Sequence, residues 1–244
     1  QIGIESPVFQ AQMSQCLNCR ACEAVCPSGV AYGSILEASR AQLQQAKTQA
    51  RITPYTWWQK LVRRAVFGGL FADMRLFRAF SHMLALYQRS GAQQIARHSG
   101  LLTLVGMRTM EALLPPMSQR ITVPQGQIHR AEGTRRSTVA LLTGCIMSTA
   151  FAHVHDATIR VLQRHGCDVI LPPDQGCCGA LHIHGGDMDG GRERARQNLA
   201  AFAHLGVDAI IVNAAGCGST MKEYHHLLAD DPAWHAQAAA FSHK

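Results

Sequence analysis

Three hydrophobic patterns succeed one another along the chain. From Trp57 to Leu114 apolar side chains recur at helical spacing, first at Trp57, Trp58, Leu61, Val62, Ala65 and Val66, then at Leu70, Met74, Phe77, Leu84 and Tyr87. This middle is expected to be helix throughout. Ahead of it, Ser34 followed three residues later by Glu37 reads as a capping box that opens a helix to about Arg51, before Pro54. Pro115-Pro116 ends the helical region, and the stretch from Gln119 to Ser137, with Pro124, Gly126 and Gly133 and few apolar residues, reads as a linker.

From Thr138 the pattern changes to short apolar runs followed by longer helical segments. Strands are expected at 138–143, 168–171 and 208–213. A helix from Phe151 closed by Gly166, one near 191–205 closed by Gly206, and a last one capped by Ser219 follow them in turn. Strands alternating with helices at this spacing argue for an open parallel sheet. The fold class is therefore α/β with an all-helical N-terminal part, divided into segments 1–34, 35–118, 119–137 and 138–244.

Composition supports a folded chain. Its 244 residues suit one large domain or two modest ones at roughly 150 residues each, and 47% apolar with 16% charged residues exclude a disordered or fibrous protein. The net charge of +7 is uneven: residues 1–136 carry sixteen Lys and Arg against six Asp and Glu, and residues 137–244 carry seven against ten. Two units with different surfaces are implied. Runs long enough to span a membrane are broken by Lys60, Arg63 and Arg64 or by Arg108 and Glu111. Gln1 to Gln10 lack a signal-peptide pattern, so a cytoplasmic location is expected, and Gln1 suggests a trimmed start.

Nine cysteines are too few for a disulfide scaffold of this length and odd in number. They fall into two groups. Cys16-x-x-Cys19-x-x-Cys22-x-x-x-Cys26-Pro27 has the spacing of the bacterial ferredoxin run that holds a [4Fe-4S] cluster. A zinc site would more often pair two C-x-x-C knuckles across a longer loop. In two-cluster ferredoxins the fourth Cys of such a run serves the other cluster. No second run occurs here, so either Cys26 closes its own cluster or its partner motif precedes Gln1.

The second group is tied to the sheet. Cys145 follows the first expected strand, Cys177 and Cys178 the second, and Cys217 the third. In open parallel sheets ligands bind beyond the carboxyl ends of the strands, so these four thiols are expected to form a second metal site, holding iron–sulfur or zinc. Cys167, at a strand start, is expected on the opposite edge as a core residue.

The stretches Cys16-Leu-Asn-Cys-Arg-Ala-Cys-Glu-Ala-Val-Cys-Pro-Ser-Gly-Val-Ala-Tyr-Gly33, Leu142-Thr-Gly-Cys145, Gln175-Gly-Cys-Cys-Gly-Ala-Leu181 and Asn213-Ala-Ala-Gly-Cys-Gly218 resemble the iron–sulfur subunit family of bacterial glycolate oxidase. That family carries two ferredoxin-type motifs and two cysteine-rich CCG domains of Rossmann-like type. The resemblance implies that this chain begins at the second motif and ends after the first CCG domain, as a fragment. It further implies an electron-transfer subunit that passes electrons from FAD-bearing partner subunits, which oxidise glycolate to glyoxylate, toward a membrane quinone. Peripheral attachment to the cytoplasmic face of the inner membrane goes with that role. The chain has no G-x-G-x-x-G after a strand, in keeping with flavin chemistry on another chain. Cys217-Gly-Ser-Thr220 departs from the C-x-x-C common in the wider family, which argues against a heterodisulfide-reducing site.

Other features carry less. His182-x-His184 is a candidate for support of the metal ligands, whereas His153-x-His155 points two ways on a helix. Lys60, Arg63 and Arg64 opposite Trp57, Leu61 and Val66 form a basic amphipathic face, solvated or interfacial. No nucleic-acid motif is present. The competing functions are the iron–sulfur subunit of a lactate, glycerol-3-phosphate or heterodisulfide system, and a structural zinc-binding assembly module.

Overall fold

A computed structural model describes residues 3–243. Helix α1 (Pro7–Gln15) leads into the first cysteine loop, which contains a single short turn, α2 (Ala21–Ala24), and then α3 (Tyr32–Thr48). The expected cap is displaced: α3 starts at Tyr32 behind Ala31, and Ser34 lies inside the helix. Glu37 is drawn instead to Asn18 Nδ2 at 3.0 Å and to the Arg20 guanidinium at 3.4 Å. Leu43 and Ala46 of α3 pack with Ile52 against Phe9 and Met13 of α1.

The middle is helical but broken. Thr56 and Gln59 form a reciprocal capping box at the head of α4 (Trp57–Ala65), which runs into one π-helical turn at Val66–Leu70. Then follow α5 (Met74–Arg89), α6 (Ala92–His98), α7 (Leu101–Leu104) and α8 (Arg108–Ala112). The interruptions fall at Gly91 and Gly100, whose left-handed φ of 81° and 74° a helix interior does not allow. Periodicity alone does not register these stops.

The stretch read as a linker contributes an edge strand, β1 (Gln127–His129). It pairs antiparallel with β3 (Cys167–Leu171), in the register Gln127 to Leu171. The sheet is thus mixed and small, in the order β1-β3-β2-β4, with β2 (Ser137–Leu142) parallel to both β3 and β4 (Ala209–Val212). Between these strands lie α9 (Ile146–Thr149), α10 (Ala152–Arg164), α11 (Ala180–His184) and α12 (Met188–Phe202). After them come α13 (Ala215–Lys222), α14 (Tyr224–Leu227) and α15 (His235–Ser242). Ser219 sits within α13 and bonds the Gly216 carbonyl at 3.2 Å, so it is no cap.

Alternation along the strands covers both faces. Val139, Leu141, Val169 and Leu171 pack on Ile159 and Leu162 of α10. Ala140 and Leu142 face Ala195, Leu199 and Phe202 of α12, with Met221 and Tyr224 behind them. Leu141 and Leu199 are fully buried, each contributing about 2 kcal/mol of transfer free energy. Because β3 lies on one side of β2 and β4 on the other, the chain reverses direction across the sheet at β2. The crevice at the carboxyl ends of these three strands is where a ligand site forms in such sheets. No helix among the described residues is long and apolar enough to cross a membrane.

Candidate functional site

The crevice collects the second cysteine group. Cys145 stands at the head of α9 beyond β2, Cys177 and Cys178 in the loop between β3 and α11, and Cys217 in the first turn of α13 beyond β4. Their sulfurs form a chain, with Cys145 to Cys177 at 3.7 Å and Cys178 to Cys217 at 3.1 Å. Cys167 lies at the other end of the sheet, its thiol against Ser137 Oγ at 3.1 Å.

Sequence gave no warning of the polar frame that holds these thiols. Gln175 accepts from the Thr143 amide at 2.7 Å and donates to the Leu141 and Pro172 carbonyls, fastening the end of β2 to the loop after β3. Asn198 accepts from the Gly176 amide at 3.0 Å and donates to the Cys177 carbonyl at 2.9 Å. The Tyr224 hydroxyl donates to the Cys178 carbonyl at 2.8 Å. His155, fully buried, donates from Nε2 to the Thr143 carbonyl and accepts the Asn213 amide at Nδ1, joining the ends of β2 and β4. Gly179 adopts a φ of 88°, and a Cβ there would meet the Gly191 carbonyl at 3.1 Å, so only glycine turns the chain into α11.

The helical region roofs the site. Phe77 packs with Cys145 and Cys177, joined by Leu70, Phe71 and Met74, and Arg194 donates to the Ala72 carbonyl. His182, 2% exposed, donates from Nε2 to the Phe67 carbonyl at 3.0 Å and meets the Phe67 ring edge-on. Its Nδ1 is buried without a hydrogen-bond partner, and the Cys177 sulfur acts on the charge of the ring. Burial opposes a charged ring, but Cys177 and the Phe67 carbonyl outweigh it and raise the proton affinity of His182. His184 is turned away, toward Glu37 at 3.5 Å, and His153 lies on α10 beside Phe151.

The thiols divide by charge. Cys145 is pushed up by the hydrogen bond it donates to Cys177 and by burial, while Cys177 is held well below the ordinary thiol range by Cys145, Cys178, His182 and the Gly179 amide. Cys178 is raised by Cys177 and Cys217, and Cys217 is lowered by Cys178. Cys145 and Cys178 are thus pushed toward the thiol form and Cys177 and Cys217 toward the thiolate, and four such sulfurs are a soft donor set of the kind that binds zinc or iron–sulfur. Sulfurs sharing one zinc lie about 3.8 Å apart for zinc–sulfur bonds of about 2.3 Å, close to the 3.7 Å between Cys145 and Cys177. The four form a chain and not a cage: among the described residues no three or more His, Cys, Asp or Glu surround a common single-ion position.

The first group occupies one loop at the surface, with Cys19 and Cys22 exposed and Cys16 and Cys26 half-buried. Asn18 and Arg20 take left-handed φ of 54° and 57°, which coil the loop tightly. The Asn18 amide donates to Cys16 Sγ at 3.4 Å. Amides at Val30, Ser28 and Gly29 lower the Cys26 thiol below its ordinary range. Backbone donors are turned on two of the four sulfurs, those of Cys16 and Cys26, and although no three of the four thiols surround a single-ion position among the described residues, four thiols at this spacing on one loop are a donor set that fits an iron–sulfur cluster.

Two arginines from the basic half tie this loop to the C-terminal ends of α11 and α13, the helices whose N-terminal ends carry Cys178 and Cys217. Arg20, between Cys19 and Cys22, makes a two-pronged bond to Glu223 just beyond α13, one arm at 2.8 Å. Arg40 of α3 donates to the Met13 and Cys16 carbonyls and, at 3.0 Å, to the His184 carbonyl of α11. Both thiol groups thus stand on one continuous framework.

A thiol-bearing helical segment set on a small α/β unit with four more thiols at its crevice gives the chain the layout of a cysteine-rich protein with two soft-donor sites. Residues 139–222 match the cysteine-rich domain family CCG, and residues 58–114 match the linker region of the glycolate oxidase iron–sulfur subunit. The chain belongs to the glycolate oxidase iron–sulfur subunit family. It is 43% identical over 242 residues, 96% of its length and 52% of the relative's, to the probable glycolate oxidase iron–sulfur subunit of Bacillus subtilis (strain 168). It is 30% identical over 228 residues, 91% of its length and 48% of the relative's, to the glycolate oxidase iron–sulfur subunit of Escherichia coli (strain K12). Lactate utilization protein A of Exiguobacterium sp. (strain ATCC BAA-1283 / AT1b) is 32% identical over 106 residues, 43% of each chain. The chain spans about half the length of the first two relatives. No solved structure gives a significant match.

Proposed function

We propose that this chain is the electron-transfer subunit of a glycolate oxidase-type complex, passing electrons from a flavin-bearing partner that oxidises glycolate to glyoxylate toward a membrane quinone. The observation that carries the reading is the convergence of Cys145, Cys177, Cys178 and Cys217 in the crevice, on helices to which Arg20 and Arg40 tie the Cys16 to Cys26 loop. Cys16, Cys19, Cys22 and Cys26 hold a [4Fe-4S] cluster, and such a cluster supplies a one-electron carrier that needs no proton. Exposed Cys19 and Cys22 place that end of the loop where a partner's redox group can approach.

Cys145, Cys177, Cys178 and Cys217 hold a second soft-metal centre, iron–sulfur in preference to zinc. The chain's own residues exclude water from it through Phe77 and Phe71, and Cys145 first, then Cys178 and His182, favour the charged form of Cys177. The experiment is anaerobic purification with the flavin partner subunits, followed by glycolate-driven bleaching of the cluster absorbance. Bleaching with glycolate supports the reading. Bleaching with lactate alone would favour the second reading, a lactate-oxidising system, which the likeness to lactate utilization protein A supports.

A further inference from the structure

Helix α4 is built inside out. At 3.6 residues per turn, Trp57, Leu61, Ala65, Trp58 and Val62 fall on one arc of about 140°, with Lys60, Arg63 and Arg64 on the neighbouring arc. A helix on a soluble protein lays its apolar arc on the core. Here no residue of α4 is buried, and Trp57 and Trp58 are 75% and 58% exposed. The polar side faces the protein: Arg63 donates to the Gly185 carbonyl at 3.3 Å, and its guanidinium lies over the Tyr55 and Phe67 rings at 5.0 and 5.1 Å. The capping box and this anchor fix the helix in place with its indoles outward.

Beside α4 opens a cavity of about 500 Å³ lined by Thr48, Tyr55, Trp57 and the bases Lys60, Arg63 and Arg64, with no acid in its wall. The stretch of chain that carries it is basic too. From Ala38 to Met110 the chain has eleven Lys and Arg against Asp73 alone. Adjacent exposed indoles flanked by Lys and Arg are the pattern of a helix lying in a headgroup layer; the wall of the cavity carries bases alone, with Asp187 and Asp189 set beyond Gln44 and Thr48 in the adjoining pocket, and that basic wall matches a negative leaflet.

We propose that α4 and the basic cavity beside it dock this protein on an anionic phospholipid surface. Trp57, Trp58 and Leu61 enter the headgroup boundary, and the exposed Lys60 and Arg64 at the flank of the helix meet lipid phosphates, while Arg63 stays the anchor to the protein. The inference deepens the electron-transfer reading by setting the chain against the membrane that would hold its acceptor, but the surface stands on its own geometry.

The test uses the full chain, purified anaerobically, with vesicles of phosphatidylglycerol in phosphatidylcholine and of phosphatidylcholine alone. The chain pellets with the anionic vesicles only, less so as salt rises, and its Trp emission shifts to the blue and is quenched by brominated acyl chains. Lys60→Glu with Arg64→Glu lowers the vesicle affinity at least about tenfold, and Trp57→Ser with Trp58→Ser removes the blue shift while Trp234 remains. All four side chains are exposed, and circular dichroism confirms that the variants fold. Absence of binding to anionic vesicles, undiminished binding by the charge-reversed variant, or shielding of the indoles by a second copy or a protein partner would overturn the proposal. Vesicle binding without glycolate-driven bleaching leaves the docking surface standing and sinks the electron-transfer reading; bleaching without vesicle binding does the reverse.

Discussion

Asn198 has no charge and no motif, yet its amide spans the Gly176 amide, the Cys177 carbonyl and the Tyr224 hydroxyl in the floor of the thiol crevice. Asn198→Ala strands at least two buried backbone groups, at about 1 to 3 kcal/mol each. A fall in unfolding free energy of about 2 to 4 kcal/mol is expected from urea titration; a midpoint unchanged from the parent would contradict this account of the frame. The cysteines themselves were legible because ligand spacing is local in sequence or repeats at strand ends. Gln175, Asn198 and His155 were not, because each acts on backbone groups brought together by the sheet, and a lone Asn, Gln or His leaves no spacing to read. His182 was visible only as one of a pair, and the contact that matters, with Phe67, spans 115 residues. At the first loop, Cys26→Ala leaves three thiols, and reconstitution is expected to yield an EPR signal of three-iron type on oxidation. An undisturbed four-iron signal would remove Cys26 from the ligand set.

At the scale of elements, β1 escaped the sequence because it is three residues long and polar at Gln127 and His129, with its one apolar residue, Ile128, partly in solvent. Edge strands pair through backbone and need no hydrophobic alternation. Its attachment depends on Asp168, at the start of β3, which accepts from the Ala131 amide and the Arg130 guanidinium, both at 2.8 Å. The Ala131 amide first, then Arg130, holds this carboxyl below the usual range. A depressed carboxylate stabilises the fold above its unfolded pKa of about 3.9, and that contribution is lost as pH falls through the lower folded value. Asp168→Asn is therefore expected to lower the melting temperature at neutral pH, the difference from the parent narrowing in acid. A constant difference down to strongly acidic pH would show that Asp168 acts through packing alone. Strands β2, β3 and β4 and helices α10 and α12 were legible to within a few residues, since the strands carry apolar runs between glycine and proline stops, whereas the short helices α9, α11, α14 and α15 were not.

For the whole molecule, the basic and acidic halves meet where Arg20 reaches Glu223. Arg20→Ala removes the clamp between the cluster loop and the end of α13. These side chains are partly exposed, so the effect on global stability is small, about 1 kcal/mol or less. The expected effect is local: faster protease cleavage within residues 16–30 and faster bleaching of the cluster in air, both by limited proteolysis and absorbance against time. Equal rates in parent and variant would show that the loop holds itself. The central claim is that the Cys16 to Cys26 loop carries the chain's redox function. Anaerobic EPR of the dithionite-reduced protein, with iron and zinc counted on the same sample, tests it most directly. The account predicts a reduced four-iron signal that is lost in Cys19→Ser together with its share of iron and sulfide. A colourless, EPR-silent protein containing zinc, or a signal and iron content that Cys19→Ser leaves unchanged, would contradict it.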